Sequence, residues 1–201
     1  MTSSPDIQQP VTAALHLGGE LLLSVGQLSS AGIKPVNEDA IGIRIPEGDL
    51  LTTKGAVAVI ADGVSAAEAG RESSEASVSN FLSDYFSTPE SWSVKKSAQQ
   101  VLTALNRWLY GQGQGYADIR RGYVTTFSAI IIKSHTVHIL HAGDSRVYRL
   151  RAGEFEQLSR DHSAVISENR SYLTRALGMD VKLDVDYRQL PVEKGDVYLL
   201  S

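Results

Sequence analysis

The sequence contains no cysteine among its 201 residues. This absence excludes a disulfide framework, a thiolate zinc site and a cysteine nucleophile, and it fits a reducing compartment. Net positive charge is also missing: the formal net charge is -4 at pH 7, which gives no basic footprint for nucleic acid or anionic lipid. The first ten residues carry no basic leader, and the apolar stretch "LLLSVG" is too short to span a bilayer. We therefore expect a cytoplasmic protein with no nucleic-acid partner and no membrane contact from this segment.

What the sequence does contain is typical of one globular domain. Hydrophobic residues make up 42% and charged residues 21%, which is enough apolar mass for a sizeable core. Residues 1–20 are polar and then small, so we expect an N-terminal arm there. The domain itself is expected over residues 21–201.

Short apolar runs predict strands at both ends of the chain. In the first third these runs are "LLLSVGQLS", "AIGIRI" (Ala40 to Ile45) and "GAVAVIA". After residue 122 come "YVTTFSAIIIK", "TVHILHA", "SRVYRL" and "EFEQLS", with the rhythm of an antiparallel meander. A further strand pair is predicted at "LDVDYRQL" and "DVYLLS".

Two helices are predicted between these strand regions. The first has a capping box, Ser65 with Glu68 three residues later, and an apolar face formed by Phe81, Leu82, Tyr85 and Phe86. The second has apolar residues every three or four positions, namely Val94, Ala98, Val101, Leu105, Trp108 and Leu109. Glycines in "GQGQGYADIRRG" predict a loop after it. Strands, two helices and then more strands favour an α+β fold with helices packed on antiparallel sheet.

Asp62 is the first candidate for chemistry, because it directly follows the buried run "VAVIA" and precedes a glycine. One interpretation needs no ligand: a carboxylate beside a helix N-terminus is stabilised by the helix dipole. The other is a metal site, since Gly63 has no side chain and its carbonyl could face the same ion as Asp62. Oxygen-only ligation of that kind suits Mg²⁺ or Mn²⁺.

Two further acidic elements have ordinary explanations when taken alone. Glu38 and Asp39 adjoin at the mouth of a predicted strand, where adjacent carboxylates repel unless they are solvated or bridged by a cation. Asp144 lies at a tight Gly-Asp connection between two strands, where a hairpin turn would account for it.

The acidic candidates lie within a series of seven short sequence motifs. In chain order these are "NEDA", "VAVIADGV", "TTFSAIII", "HILHAGDSRVYRL", "LSRDHS", "LTRALG" and "GDVYLLS". In order and approximate spacing they resemble the PPM family, the metal-dependent serine/threonine protein phosphatases of the phosphatase 2C type. The resemblance covers residues 22–201. It implies a β-sandwich of two antiparallel sheets flanked by helices, with a two-metal site at one end.

The resemblance also implies roles for individual residues. Asp62 would bridge two Mg²⁺ or Mn²⁺ ions, with the Gly63 carbonyl on one of them. Glu38 and Asp39 would bind metal directly or through waters, and Asp144 would help to hold a third, weaker ion. The substrate would be phosphoserine or phosphothreonine in a protein. A water activated by the two ions would attack it in line, with no covalent intermediate.

The sequence also departs from the family pattern. Lys34 stands where many members carry an arginine that grips the phosphate, and lysine keeps the charge without the bidentate fork. Val64 stands where some members have a histidine that is a candidate general acid.

The resemblance further implies that the phosphatase domain lacks its C-terminal end here, because two further metal-binding aspartates would follow Ser201. A protein kinase, fused or separate, is a partner suggested by some bacterial relatives. The alternative function is a catalytically impaired phosphoprotein-binding or regulatory module on the same fold.

Competing chemistry finds little support in the sequence. His135, His138 and His141 resemble a metal ladder, but on a strand His138 faces away from the other two. His162 in "SRDHS" is interpreted as a local hydrogen-bonding residue. "DGVSAAEAG" lacks the second glycine of a serine-hydrolase elbow.

Overall fold

The computed structural model describes residues 23–64, 69–116, 118, 122–167 and 170–201. Its helices are α1 (Gly48–Lys54), α2 (Gly70–Ser87) and α3 (Val94–Gly113). Its strands are β1 (Asp39–Arg44), β2 (Ala56–Asp62), β3 (Phe127–Lys133), β4 (Thr136–Ala142), β5 (Val147–Arg151), β6 (Glu154–Gln157), β7 (Ser163–Ser167), β8 (Arg170–Leu173), β9 (Asp186–Pro191) and β10 (Val197–Leu200). Of the described helices, none is long and apolar enough to cross a membrane.

The main sheet has five antiparallel strands in the order β1-β2-β3-β4-β9. Its central strands are apolar on both faces, because β2 and β3 are buried almost throughout. In the pairing of these strands, Asp39 lies opposite Asp62 and Phe127 lies opposite Ala142. The last residues of β2 therefore lie beside the first residues of both neighbouring strands, β1 and β3.

Helices α2 and α3 pack on one face of this sheet. Phe81 of α2 is fully buried and meets Phe127 of β3 edge to face, with ring centroids 4.9 Å apart. Ser93 caps the N-terminus of α3, and its hydroxyl accepts a hydrogen bond from the Lys96 N–H at 3.2 Å. Its buried apolar residues are Val94, Ala98, Val101, Leu102, Leu105 and Leu109. Each large apolar side chain buried here stabilises the fold by roughly 1.5–3 kcal/mol.

The chain changes sheets after β4. β5 pairs with β6 and β10 in a separate three-stranded antiparallel sheet, and β7 pairs with β8 in a two-stranded one. The second face of the main sheet is buried too, since Ile130 and Ile139 lie on it and are 6% and 2% exposed. On this face the His141 ring bonds to the carbonyl of Arg160, which follows β6.

The fold class predicted from the sequence, α+β with antiparallel sheets and helices, agrees with this architecture. The predicted antiparallel meander of four consecutive strands was wrong, because β4 and β5 do not pair. The last two strands form as predicted but do not pair with each other: β9 joins β4, and β10 joins β5.

The helix predictions need smaller corrections. α3 continues through Gly113 into the stretch predicted as a loop. Trp108, predicted on the apolar face of this helix, is 43% exposed. Its ring packs edge to face against Tyr123, with centroids 6.0 Å apart. α1 and the β7–β8 hairpin were not predicted. The capping box at Ser65 lies outside the described residues.

By its contacts the chain divides into two compact units, residues 1–37 and residues 38–201. The described part of the first, residues 23–37, contains no helix or strand. All the helices and strands named above belong to the second. The predicted boundary between arm and domain, at residue 20, lies outside the described residues.

Candidate metal centre

Two acidic residues face each other across the first pair of strands. Asp39 begins β1 and Asp62 ends β2, and the two are partners in the antiparallel register. Side chains directly opposite each other in such a pair lie on the same face, with Cβ atoms roughly 4.5–5.5 Å apart. Both residues are exposed. Their face is the one away from α2 and α3, because the alternating residues Val57 and Val59 belong to the core under the helices.

The backbone of Asp62 is fixed by the two threonines that precede β3. The Asp62 N–H donates to Thr126 Oγ1 at 2.9 Å, and the Thr126 N–H donates back to the Asp62 carbonyl at 2.9 Å. The Thr125 hydroxyl donates to the same carbonyl at 3.0 Å. Both threonines are buried. The main chain of Asp62 is thereby held on both its polar groups while its carboxylate points outward.

Thr126 also holds the turn that carries Asp144. Its hydroxyl lies 2.7 Å from the Ser145 hydroxyl, and this hydrogen bond is buried. Gly143 packs directly on Thr126: a Cβ added at Gly143 would lie 2.6 Å from the Thr126 Cβ. Asp144 itself is exposed. One threonine therefore connects the Asp62 strand end with the Asp144 turn, and this turn is a crossover between sheets rather than the hairpin turn considered from the sequence.

Gly63 lies at a close backbone approach. It is buried, and its N–H donates to the Glu38 carbonyl at 3.0 Å. A Cβ on Gly63 would collide with the carbonyl of Gly70 at the start of α2, so glycine is required here. The Glu38 carboxylate lies on the Gly70 side, with Oε1 3.2 Å from the position that a Gly70 Cβ would take.

Asp161 is an acidic residue near this end of the fold that is already neutralised. The Arg146 guanidinium binds it in a fork, with distances of 2.6 and 3.0 Å to Asp161 Oδ2. This hydrogen bonding lowers the pKa of Asp161. Asp161 is therefore an ion-pair residue and not a further member of the acidic pair.

The histidines of β4 have partners of their own. Burial lowers the pKa of His141 and so favours its neutral ring. In that form Nε2 donates to the Arg160 carbonyl at 2.9 Å, and Nδ1 accepts from the Ser128 hydroxyl at 2.9 Å. His138 Nδ1 bonds to the Tyr187 hydroxyl at 2.7 Å. These hydrogen bonds give both nitrogens of His141 and one nitrogen of His138 a partner within the protein.

Lys34 lies in the first unit. It is exposed, and its backbone N–H donates to the Ala31 carbonyl at 3.0 Å, closing a turn. Val64 follows Gly63 in the second unit, and its N–H donates to the Val124 carbonyl at 3.1 Å.

The donor set at this edge fits a hard divalent cation in its chemistry. Carboxylates and backbone carbonyls are the ligands that Mg²⁺ and Mn²⁺ prefer, and Mg²⁺ is commonly held through one or two carboxylates with waters. Within the described residues, however, no group of three or more His, Asp and Glu side chains is arranged to hold an ion. Asp39 and Asp62 are brought together, whereas Glu38 and Asp144 are placed nearby without closing a cluster.

Sequence reasoning did not single out Thr126 or Ser145. The available signals were the threonine pair before the run "FSAIII" and the serine after the Gly-Asp turn. Neither is distinctive, because threonine and serine are ordinary residues at strand ends and turns.

Comparisons with known proteins agree on one family. The family model described as protein phosphatase 2C matches residues 33–200. A serine/threonine phosphatase, stp, from Listeria welshimeri is 30% identical over 168 residues, covering 72% of this chain and 64% of the relative. The protein phosphatase PhpP from Streptococcus pneumoniae is 26% identical over 160 residues, covering 71% and 64%. The chain thus spans 64% of the length of these curated relatives.

Solved structures show the same fold. PppA, a regulatory component of the type VI secretion system of Pseudomonas aeruginosa, superposes with a TM-score of 0.65 and 28% identity, covering 83% of this chain and 70% of that one. The serine/threonine phosphatase Stp1 from Staphylococcus aureus gives a TM-score of 0.68 at 22% identity, covering 82% and 69%. The sandwich fold and the family resemblance inferred from the sequence are both confirmed.

Proposed function

Because this chain belongs to the protein phosphatase 2C family, we propose that it hydrolyses phosphoserine and phosphothreonine in proteins. The observation that carries the proposal is the Asp39–Asp62 pair, with Asp62 held in place by Thr126. Carboxylates placed side by side at the end of paired strands offer two oxygen ligands of the kind that Mg²⁺ and Mn²⁺ prefer.

The acidic residues would share the work of holding Mg²⁺ or Mn²⁺. In the proposal Asp62, Asp39, Glu38 and the Gly63 carbonyl would hold two ions, with Glu38 and Asp39 acting directly or through waters. Asp144 would contribute to a third, weaker site. When bound, such ions lower the pKa of an attacking water and neutralise phosphoryl oxygens during in-line displacement.

Lys34 is proposed to bind the substrate phosphate. A lysine offers a point charge with three donors, whereas an arginine would grip two oxygens at once. We expect Lys34→Ala to raise the KM for a phosphopeptide about tenfold, since a hydrogen bond from a charged group contributes roughly 1.5–3 kcal/mol. Lys34→Arg should leave the KM of the original chain unchanged or lower it.

The test measures phosphate release from a phosphothreonine peptide with Mn²⁺ and with EDTA. Asp62→Asn should lower the rate about a hundredfold or more, because metal charge stabilisation amounts to several kcal/mol. Asp84→Asn is the matched control, since Asp84 is an exposed carboxylate on α2. Turnover that persists in EDTA, or an equal loss in both variants, would contradict the proposal.

The same experiment addresses the other function considered from the sequence. A phosphoprotein-binding module would bind the peptide and release no phosphate under either condition. The partner in the proposal is a phosphorylated protein, and a serine/threonine protein kinase is the class of enzyme that must produce it.

A further inference from the structure

We propose that His162 is a positioning residue that sets the conformation of the Asp144 turn. The inference rests on the proposed function, because Asp144 matters only if this end of the sheet binds cations. The geometry behind it lies in the backbone of Gly143, the residue directly before Asp144.

His162 binds both polar groups of the Gly143 backbone. Its own N–H donates to the Gly143 carbonyl at 2.7 Å, and the Gly143 N–H donates to His162 Nδ1 at 3.3 Å. His162 is 6% exposed, so these bonds are shielded from water. Gly143 has a φ of 121° and touches Thr126 on its other side. The turn is therefore clamped between His162 and Thr126.

The bond from Gly143 also fixes the tautomer of the histidine ring. Because Nδ1 accepts a hydrogen bond, the neutral ring carries its proton on Nε2. That nitrogen lies 3.1 Å from Asp186 Oδ2 on β9, so it donates to the carboxylate. Arg175 in turn donates to Asp186 Oδ1 at 3.0 Å. Arg175 Nη1 also lies 3.5 Å from His162 Nε2. Both nitrogens are donors in this tautomer, so they do not bond to each other, and each donates to Asp186.

The backbone of His162 extends the connection to the β7–β8 hairpin. Its carbonyl accepts from the Thr174 N–H at 2.8 Å, just after β8 ends at Leu173. One buried residue therefore joins the Asp144 turn, the base of this hairpin and strand β9. A rotation of the His162 ring would release the Gly143 N–H and leave only the main-chain bond between His162 and the Gly143 carbonyl on this side of the turn.

Two conservative substitutions separate the two bonds of the ring. In His162→Asn the amide oxygen can occupy the Nδ1 position and still accept from Gly143, but the side chain is too short for Asp186. In His162→Gln the amide nitrogen can occupy the Nε2 position and still donate to Asp186, but the acceptor for Gly143 is lost. A role limited to general packing predicts similar losses in both variants.

The experiment measures hydrogen exchange of the Gly143 amide and the affinity for Mn²⁺ by calorimetry. We expect His162→Asn to keep Gly143 protection and Mn²⁺ affinity within about twofold of the original chain. In His162→Gln, Gly143 exchange should accelerate and Mn²⁺ affinity weaken by about three- to tenfold, the equivalent of one hydrogen bond. The melting temperature of each variant is recorded to separate global unfolding from local release.

Equal effects in the two variants, or a larger loss in His162→Asn, would overturn the inference while leaving the proposed function intact. Failure of the original chain to bind Mn²⁺ would instead contradict the proposed function, and this inference with it. Should either histidine variant fail to fold, the ¹⁵N chemical shifts of the His162 ring in the original chain supply the test. The inference requires a ring with its proton on Nε2 and a slowly exchanging Gly143 amide, and a proton on Nδ1 would overturn it.

Discussion

Thr126 is the residue at which the structural account can be tested most quantitatively. Its hydroxyl accepts from the Asp62 N–H at 2.9 Å and lies 2.7 Å from the Ser145 hydroxyl. Thr126→Val has nearly the same shape and removes both hydrogen bonds. Thr126→Ser keeps the hydroxyl and removes only the methyl group, which faces Gly143.

The two substitutions should differ clearly in their effect on stability. Two net hydrogen bonds contribute about 1–3 kcal/mol together, and the buried Ser145 hydroxyl left without a partner adds to the loss. We therefore expect Thr126→Val to lower the free energy of unfolding by about 2–3 kcal/mol. Loss of one buried methyl group in Thr126→Ser should cost about 1 kcal/mol.

Urea denaturation followed by tryptophan fluorescence measures both values, since the chain has two tryptophans. Mn²⁺ affinity should fall in Thr126→Val as well, because Asp62 and the Asp144 turn lose their common anchor. A Thr126→Val protein as stable as Thr126→Ser would refute the claim that this hydroxyl connects the two acidic elements.

Two further predictions concern the supports of the site and of the second sheet. We expect Gly143→Ala to lower the free energy of unfolding by about 3 kcal/mol or more, because its Cβ would lie 2.6 Å from Thr126 at a φ of 121°. Gly153 has a φ of 85° and open space around it, so Gly153→Ala should lower the same free energy by only about 1–2 kcal/mol. Equal melting temperatures of the two variants would contradict this. Hydrogen bonding from Arg151 lowers the pKa of Asp196 to about 2 from 3.8, and the Asp196 side chain is 2% exposed. A depressed carboxyl pKa stabilises the fold above pH 3.8, and that stability is lost as the pH falls through about 2. We therefore expect Asp196→Asn to lower the free energy of unfolding by about 2 kcal/mol at pH 7. This difference in stability from the original chain should narrow between pH 4 and pH 2. A difference that stays constant over that range would show that the ion pair is not its source.

Periodicity was sufficient to locate the elements with long apolar patterns. The run that becomes β2 and the three-to-four spacing along α3 follow from which faces must be buried. α1 was missed because it has only seven residues, too few for a helical period to show. The β7–β8 hairpin was missed because its strands are short and polar around the turn.

Sheet membership could not be derived from the sequence. A strand pattern such as "SRVYRL" shows that a strand forms but not which neighbour it pairs with. The crossover after β4 depends on long-range contacts, in particular the bond between Ser145 and Thr126, which lie 19 residues apart. Neither residue carries a local signal for that contact.

The candidate site was only partly predictable, because contacts between distant residues carry no local signal in the sequence. Asp62 stands out in the sequence because a charge at the end of an apolar strand needs an explanation, whereas its position opposite Asp39 follows from a strand pairing that the sequence does not show. Thr126 and His162 act through backbone groups of Asp62 and Gly143, so the folded structure is needed to see these contacts. Glu38 was expected beside Asp39, but alternation along the backbone places its carboxylate on the Gly70 side.

The central claim is that Asp39 and Asp62 hold a divalent cation at the end of the main sheet. Anomalous diffraction from crystals of this chain grown with Mn²⁺ tests it directly. We expect a manganese peak roughly 2 Å from a carboxylate oxygen of Asp62, and no such peak in Asp62→Asn. A manganese-loaded crystal without a peak beside Asp62, or with the same peak after the substitution, would contradict it.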